Sequence, residues 1–292
     1  MPPVPAKYYI CGCNALSMKK YLCPLIAIMA LAACNNNPTP ATDGTPASAG
    51  EPPRIGYTVA NVYPHDTAFF TEGFEFHEGQ LFESSGSGNS GDGDDKPAYP
   101  SAFGILNLKT GKVDVKASLD NKAFFGEGIT FFNGKIYQLT WKNEKGFVYD
   151  AKTFKKLQEF SYQGQGWSLT HDSTRLIMSD GSSNIRFLDP NTLRVLSILG
   201  VTDNNGPVAS INELEFVNGF IYANQWGTNY ILKINPESGK VEGKMVLDNL
   251  ETEVTRKFEG SKEMNGIAWH AETNSFYITG KCWPSVYEIK LN

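Results

Sequence analysis

The stretch FGEGITFFNGKIYQLTW, residues 125–141, places one carboxylate, Glu127, between two glycines and follows it with an apolar run, a turn and a second run that ends at Trp141. Short apolar runs cut by tight turns are typical of β-strands. The same pattern continues from residue 54 to the end of the chain, and no segment sustains the period of an amphipathic helix. The sequence therefore predicts an all-β fold.

Five segments of the chain repeat this plan of strand, turn and strand. They are TEGFEFHEGQLFES (71–84), GEGITFFNGKIYQLTW (126–141), GWSLTHDSTRLIMSDG (166–181), NELEFVNGFIYANQW (212–226) and NGIAWHAETNSFYITGK (265–281). Each segment has an entry residue at or directly after its first position. We call these entry residues the leading residues, and they are Glu72, Glu127, Trp167, Asn212 and Asn265. Their spacings of 55, 40, 45 and 53 residues match the length of a four-stranded β-propeller blade.

The last repeat ends one strand short of a full blade. The chain closes with SVYEIKLN (285–292), whereas RIGYTVANVYP (54–64) precedes the first repeat. Pairing of these two terminal segments would complete the last blade and hide its edge strands. The sequence thus predicts a five-bladed β-propeller, its ring closed by the N- and C-terminal strands. A β-sandwich, the alternative all-β fold, does not explain five copies in register.

In a propeller the innermost strands line the axis, so the leading residues are expected to form a ring around one mouth of the channel. Two acids, two amides and one indole indicate a polar pocket with an aromatic wall. Because the chain reverses between the first two strands, the residues that end the second strands are expected nearby. These trailing residues are Gly86, Trp141, Gly181, Trp226 and Lys281. Together the two sets suit a small, polar, partly positive end of a substrate.

Glu127 is the candidate acid or base of this pocket. We expect its neighbours Gly126 and Gly128 to let the backbone approach a ligand and to leave the carboxylate uncrowded. Partial burial among indoles would raise the pKa of Glu127 above the usual value of about 4.3, so that it could exchange protons near neutrality. The alternative interpretation is that Glu127 accepts hydrogen bonds from backbone amides at the channel mouth.

The N-terminal region has the features of an export signal. A short basic segment, MKK (18–20), precedes a mostly apolar stretch and small residues that end at Cys34. We interpret residues 1–33 as a signal region that starts at Met18, Cys34 as a lipidated new N-terminus, 34–53 as a flexible tether and 54–292 as the propeller domain. This predicts an exported bacterial lipoprotein on the periplasmic side of the membrane or at the outer membrane. An ordinary secretory signal with a chance cysteine is the alternative.

Composition argues against several other classes. The 292 residues carry a net charge of −5 without any basic run, so no nucleic-acid partner is expected. The four histidines form no HExxH or HxH pair, so no zinc site is expected, and no GxSxG motif indicates a serine nucleophile. We predict a monomer with no cofactor and no metal. With Cys34 lipidated, Cys282 has no partner for a disulfide.

Several motifs resemble those of the plant-type glutaminyl-peptide cyclotransferases, or glutaminyl cyclases, and their bacterial relatives. Among them are YPHDTAFFTEGFEF (63–76), GEGITFFNGKIYQLTW (126–141), GWSLTHD (166–172), INELEFVNGFIYANQW (211–226) and ITGKCWP (278–284), in unbroken order. The resemblance implies a five-bladed propeller. It also implies a metal-independent reaction, in which the N-terminal glutamine of a peptide or protein closes to pyroglutamate and releases ammonia.

The resemblance further implies which residues act. Glu127 occupies the position of the catalytic acid in the family's GEG(L/I)T motif and would serve as both general base and general acid. Lys281 or Asn212 would stabilise developing negative charge, Glu72 would hold the amine, and the indoles would hold the glutamine side chain folded. With Trp141 added from the repeats, the expected substrate-binding residues are Glu72, Trp141, Trp167, Asn212, Trp226 and Lys281.

The chain departs from the family between residues 87 and 100, where an insertion is longer and more acidic. Asp92, Asp94 and Asp95 could be calcium ligands, but their spacing does not complete an EF-hand. A solvated surface loop that overhangs the pocket is the favoured interpretation.

Two other functions remain open from the sequence. One is a non-catalytic, lipid-anchored propeller that binds protein partners, because a fold can host many functions. The other is a calcium-dependent propeller lactonase, with ligands drawn from Glu72, Glu127, Asn212 and Asn265.

Overall fold

Five antiparallel sheets of four strands each form the main architecture of the described residues. The computed structural model describes residues 51–87 and 99–292. The first strand of the described residues is β1 (Tyr57–Pro64). Blade one holds β2 (Thr71–His77), β3 (Gln80–Ser85), β4 (Ala102–Leu106) and β5 (Val113–Ser118). Blade two holds β6 (Gly126–Phe132), β7 (Lys135–Thr140), β8 (Lys145–Asp150) and β9 (Lys156–Ser161).

The remaining blades follow in the same order. Blade three holds β10 (Leu169–His171), β11 (Leu176–Ser179), β12 (Asn184–Leu188) and β13 (Val195–Gly200), and a short hairpin of β14 (Thr202–Asp203) and β15 (Gly206–Pro207) follows it. Blade four holds β16 (Ile211–Val217), β17 (Phe220–Gln225), β18 (Tyr230–Ile234) and β19 (Val241–Val246). Blade five holds β20 (Met264–His270), β21 (Ser275–Gly280) and β22 (Ser285–Leu291), to which β1 adds the fourth strand.

The innermost strands close a ring. Each innermost strand contacts the next one around the ring: β2 contacts β6, β6 contacts β10, β10 contacts β16, and β16 contacts β20. The ring closes because β20 also contacts β2. In blade five β1 pairs with β22 in antiparallel register from Tyr57 opposite Leu291 to Pro64 opposite Ser285. The five-bladed propeller and its closure by the two terminal strands are therefore confirmed.

The first described residues lie against blade four. The carbonyl of Pro53 accepts a hydrogen bond from the amide of Lys244 at 2.9 Å, and the Lys244 ammonium lies 2.7 Å from the carboxylate of Glu51. The predicted signal region, the lipidated Cys34 and most of the predicted tether fall at residues 1–50, outside the described residues. The same holds for residues 88–98, which include the three aspartates of the acidic insertion.

One helix, α1 (Asp248–Lys257), contradicts the expectation that the chain holds no helix. It has only two buried positions, Leu250 and Val254, which lie four residues apart and pack into the core between blades four and five. Two apolar residues in ten give little periodic signal, so the hydrophobic pattern does not predict this helix. Its charges follow the helix dipole, with acids in the first turn and bases in the last. No helix in the described ranges is long and apolar enough to cross a membrane.

A β-bulge interrupts four of the five inner strands near the channel mouth. The register shifts lie between Thr71 and Gly73 in blade one, and at matching places in blades two, four and five. A bulge inserts an unpaired residue and re-aims its side chain. The residues that fall within these bulges include the leading residues Glu72, Glu127, Asn212 and Asn265.

The glycines beside the leading residues are required by packing between blades. A Cβ on Gly73 would lie 2.8 Å from the amide nitrogen of Ile129, and one on Gly128 would lie 2.5 Å from the Cα of Ser168. A Cβ on Gly126 would lie 2.9 Å from the hydroxyl of Ser101. Real Cβ atoms do not approach backbone this closely, so Gly73 and Gly128 make room for the neighbouring strands. That Gly126 and Gly128 also let the backbone approach a ligand stays a prediction.

Three buried glutamates join the inner strands to one another. The carboxylate of Glu213 accepts hydrogen bonds from the amides of Phe74 in blade one, at 3.2 Å, and Ile267 in blade five, at 2.8 Å. Glu75 and Glu215 accept backbone amides of β6 and β20 in the same way. The inner edge of each sheet would otherwise leave these donors unsatisfied, so the three side chains stabilise the ring.

Burial raises the pKa of Glu75 to about 8, and it raises those of Glu213 and Glu215 well above the usual range. A carboxyl whose pKa rises on folding retains its proton in the folded state between pH 4.5 and 8 but loses it in the unfolded state. The resulting stability is present at low pH and is lost as pH rises through the folded pKa.

We therefore expect the free energy of unfolding to fall as pH rises from 5 to 8, and Glu75→Gln, which is neutral throughout, to flatten that slope. Urea unfolding at several pH values measures the effect, which is at most about 1.4 kcal/mol per pH unit for each proton. Glu272→Gln, on an exposed turn, is the matched control. A slope that Glu75→Gln leaves unchanged would contradict the assignment.

Candidate active site

A cavity of about 430 Å³ opens at the ring of leading residues, and all five blades contribute to its lining. The structure brings together the seven residues that the sequence proposed for the site. They are Glu72, Glu127, Trp141, Trp167, Asn212, Trp226 and Lys281. The fifth leading residue, Asn265, is fully buried and supports the site through Glu72.

A buried ion pair crosses from blade one to blade five. The Lys281 ammonium lies 2.8 Å from Oε1 of Glu72, and both side chains are almost fully buried. The Asn265 amide donates to Oε2 of Glu72 at 3.0 Å and to the carbonyl of Thr71 at the same distance. Each oxygen of Glu72 therefore has a donor, which offsets part of the cost of burying the pair.

Glu127 has a different environment. Its side chain is 5% exposed, and no group in the described ranges donates a hydrogen bond to its carboxylate. Its backbone carbonyl, by contrast, accepts a hydrogen bond from the hydroxyl of Ser84 at 2.6 Å. The alternative interpretation, that Glu127 accepts hydrogen bonds from backbone amides, does not hold, because no backbone amide among the described residues donates to its carboxylate. Glu75, Glu213 and Glu215 accept such bonds instead.

The three ionisable groups shift one another's proton affinity. Burial and then the negative charge of Glu72 raise the pKa of Glu127 well above its usual range, while Lys281 opposes the shift. Burial likewise raises the pKa of Glu72 to about 7 against the pull of Lys281. Burial alone would lower the pKa of Lys281, but Glu72 and Glu127 raise it. The pocket thus holds the Lys281 ammonium beside two carboxyls, Glu72 and Glu127, whose pKa values are both raised above the usual range.

Aromatic rings form the side of the cavity around blades two to four. Trp167 and Trp226 meet edge to face with centroids 6.2 Å apart, and Phe125 lies 5.6 Å from Trp141. Trp226 is 45% exposed, which places it on the rim. Asn212 also lines the cavity, and its buried Oδ1 has no hydrogen-bond partner in the described part of the chain.

The two trailing glycines make room for this aromatic wall. A Cβ on Gly86 would lie 2.1 Å from the ring of Phe125, and one on Gly181 would lie 2.4 Å from the indole of Trp167. Gly181 also has a φ of +79°, which L-residues rarely adopt. The two glycines in the trailing set are therefore packing partners of rings that line the cavity.

Sequence reasoning missed five lining residues. Four of them stand two positions before a leading residue, and the fifth, Lys142, follows Trp141. A signal for two of the four was present, because AFFTEG (68–73) and AFFGEG (123–128) repeat the same pattern. The four residues two positions before a leading residue are Phe70, Phe125, Gln165 and Glu263.

Histidines lie elsewhere. His65 is buried between the carbonyl of Trp283, at 2.7 Å from Nδ1, and the carboxylate of Glu83, at 3.0 Å from Nε2. It therefore joins blade one to blade five. Within residues 51–87 and 99–292, no group of three or more His, Cys, Asp or Glu side chains is arranged to hold a metal ion.

Concave, partly apolar cavities with convergent polar groups and shifted pKa values are typical of enzyme active sites. The fold and this cavity together define the chain as a β-propeller enzyme. Residues 25–291 match the family described as glutamine cyclotransferase, and the chain belongs to that family.

Two relatives support this assignment. The glutaminyl-peptide cyclotransferase of Arabidopsis thaliana is 34% identical over 236 residues, which cover 80% of this chain and 70% of the relative. The crystal structure of Myxococcus xanthus glutaminyl cyclase aligns with a TM-score of 0.74 at 31% identity, over 83% of this chain and 99% of that chain. The resemblance inferred from the motifs is confirmed.

The packing of Gly181 against Trp167 gives a test of the wall. Gly181→Ala should cost about 1 kcal/mol for its positive φ and a further 1–3 kcal/mol for displacing the indole, and it should weaken ligand binding. Gly79→Ala is the matched control, because Gly79 has a φ of +74° with nothing within 4 Å of the added Cβ. Urea unfolding and tryptophan fluorescence measure the difference, and equal costs for the two variants would contradict the predicted clash.

Proposed function

We propose that the protein is a glutaminyl-peptide cyclotransferase, which converts the N-terminal glutamine of peptides or proteins to pyroglutamate and releases ammonia. Family membership and the names of the two relatives support this activity. The observation that carries the proposal is the Glu127 carboxyl, which is buried, lines the cavity and has no donor in the described ranges. A group of this kind is free to exchange protons with a ligand.

In the proposed mechanism Glu127 acts as base and then as acid. The neutral α-amine attacks the side-chain amide carbon, and a new C–N bond closes the five-membered ring. Glu127 accepts the proton that the attacking nitrogen loses and gives it to the leaving nitrogen, so that the amide C–N bond breaks and ammonia departs. A raised pKa suits this role, because the carboxyl must hold the proton between the two steps.

Two donors stand near the expected position of the amide oxygen. Lys281 supplies a positive charge whose position is fixed by Glu72 at 2.8 Å. Asn212 supplies a side-chain amide that lines the cavity. Either group stabilises negative charge that develops on the oxygen, and both are held in place before the reaction. The indoles of Trp141, Trp167 and Trp226 restrict the glutamine side chain to a folded conformation close to the attack geometry.

The contacts of Glu72 favour this proposal over a calcium-dependent lactonase. A calcium ion would need several free oxygens around one point. Here the two oxygens of Glu72 accept hydrogen bonds from Lys281 and Asn265, and an ammonium occupies the side of the ring where the cation would bind. A non-catalytic binding role is disfavoured because it gives no reason to bury an unpaired carboxyl beside an ion pair.

The first test replaces the proposed base. Glu127→Gln should lower kcat by roughly 10²–10⁴-fold, because the amide cannot carry the proton. The assay follows ammonia release from a short peptide that begins with glutamine, and urea unfolding verifies the fold. Glu272→Gln serves as the matched control and should keep full activity. Near-normal turnover by Glu127→Gln would refute the role. The same assay in excess chelator should give an unchanged rate, which would exclude the calcium-dependent alternative, whereas loss of activity would contradict metal independence.

A second test addresses Glu72. Its negative charge raises the pKa of Glu127, so Glu72→Gln should lower that pKa and move the acidic limb of kcat/KM to lower pH. Glu263→Gln removes another carboxylate from the cavity lining, one that does not act on Glu127, and should move the limb less. A shift of the limb to higher pH in Glu72→Gln would contradict the electrostatic assignment.

From the sequence alone we also propose that the protein is exported and lipidated at Cys34. Cys34→Ser should move it from the membrane fraction to the soluble fraction of the cell that expresses it. Retention of the variant in the membrane fraction would refute the anchor.

A further inference from the structure

Two indole N–H groups of the cavity converge on one oxygen atom. Nε1 of Trp141 and Nε1 of Trp167 each donate to Oε1 of Gln165 at 2.8 Å. Trp141 directly follows the second strand of blade two, whereas Trp167 lies just before the first strand of blade three. A single amide therefore bridges two blades at the cavity wall.

The chemistry of the indole fixes the orientation of this amide. An indole nitrogen is a donor only, so the atom that faces both tryptophans must be the carbonyl oxygen of Gln165 and not its nitrogen. The two lone pairs of that oxygen match the two donors. In the part of the chain that the structure describes, neither indole nitrogen has another acceptor.

The backbone around Gln165 is itself held. The amide of Gly166 donates to the carbonyl of Trp141 at 3.2 Å, and the amide of Trp167 donates to the carbonyl of Ser179 at 3.0 Å. A Cβ on Gly166 would lie 2.6 Å from the hydroxyl of Tyr162, so the backbone at Gly166 packs closely against Tyr162. This places the Gln165 side chain at a set distance from both indoles.

We propose that Gln165 is a positioning residue that joins Trp141 and Trp167 into one fixed aromatic wall and thereby sets the width of the cavity for the substrate side chain. The kinetic part of this proposal rests on the proposed function. Trp226 depends on the same contact, because it packs edge to face on Trp167. Loss of the shared acceptor would free two indoles directly and loosen the third.

The test compares two substitutions of similar volume. Gln165→Leu removes the acceptor, whereas Gln165→Glu keeps a carboxylate oxygen in reach of both indoles. In ¹⁵N-labelled protein the five tryptophans give five indole signals, and loss of a hydrogen bond moves an indole proton upfield. In Gln165→Leu the signals of Trp141 and Trp167 should move upfield. The signal of Trp283, which donates to the carbonyl of Lys262, should stay in place.

The kinetic readout uses the glutamine-starting peptide at the pH optimum of each variant. Gln165→Leu should raise KM and lower kcat/KM by about ten- to thirtyfold, the loss expected for two neutral hydrogen bonds. Gln165→Glu should keep both indole signals near their wild-type positions and recover most of the loss in KM. Wild-type indole signals in Gln165→Leu, or a KM for Gln165→Glu as high as that of Gln165→Leu, would overturn the proposal.

The proposed function and the positioning role of Gln165 can be refuted separately. If the wild-type protein releases no ammonia, the proposed function fails, but the indole signals still report on the wall. If the wild-type protein is active and the indole signals of Trp141 and Trp167 do not move in Gln165→Leu, only the positioning role is refuted.

Discussion

The close approach of the inner strands at the channel mouth is the constraint on which the rest of the molecule depends. Gly73 lies against Ile129, and Gly128 lies against Ser168, at distances that exclude any Cβ. Four of the five inner strands carry a bulge near this mouth, and the bulge turns a leading side chain toward the axis. Residues that lie 40 to 55 positions apart in the sequence thereby come to share one cavity.

The donors around each buried carboxyl then give chemically similar residues different roles. Glu75, Glu213 and Glu215 accept backbone amides and hold neighbouring blades together. Glu72 is held by an ammonium and an amide, whereas Glu127 faces the cavity without a donor among the residues described. What separates a structural carboxyl from a reactive one in this ring is which donors point at it, because all five are buried.

The repeat and its period predicted the fold, its closure and the two sets of residues at the channel mouth, because a propeller converts sequence period into angular position. The family resemblance, with Trp141 added from the repeats, then selected the seven site residues from these sets. The helix α1 could not be predicted, since two apolar residues leave no period to detect. Phe70 and Gln165 were missed because the segments before the inner strands have no regular structure of their own, and their direction depends on tertiary contacts. The packing role of Gly126 and Gly128 could not be predicted either, because the residues they pack against, Ser101 and Ser168, belong to neighbouring blades.

The pairing of β1 with β22 has a consequence for synthesis of the chain. The hydroxyl of Thr58 donates a hydrogen bond to Asn292, 234 positions later, so β1 is synthesised long before its partner strand β22. Until then both would expose unsatisfied edges, which are prone to aggregate. A translation product that stops short of β22 would leave two open edges in one blade. Such a fragment should be a target for proteolytic clearance and not a shortened but working enzyme.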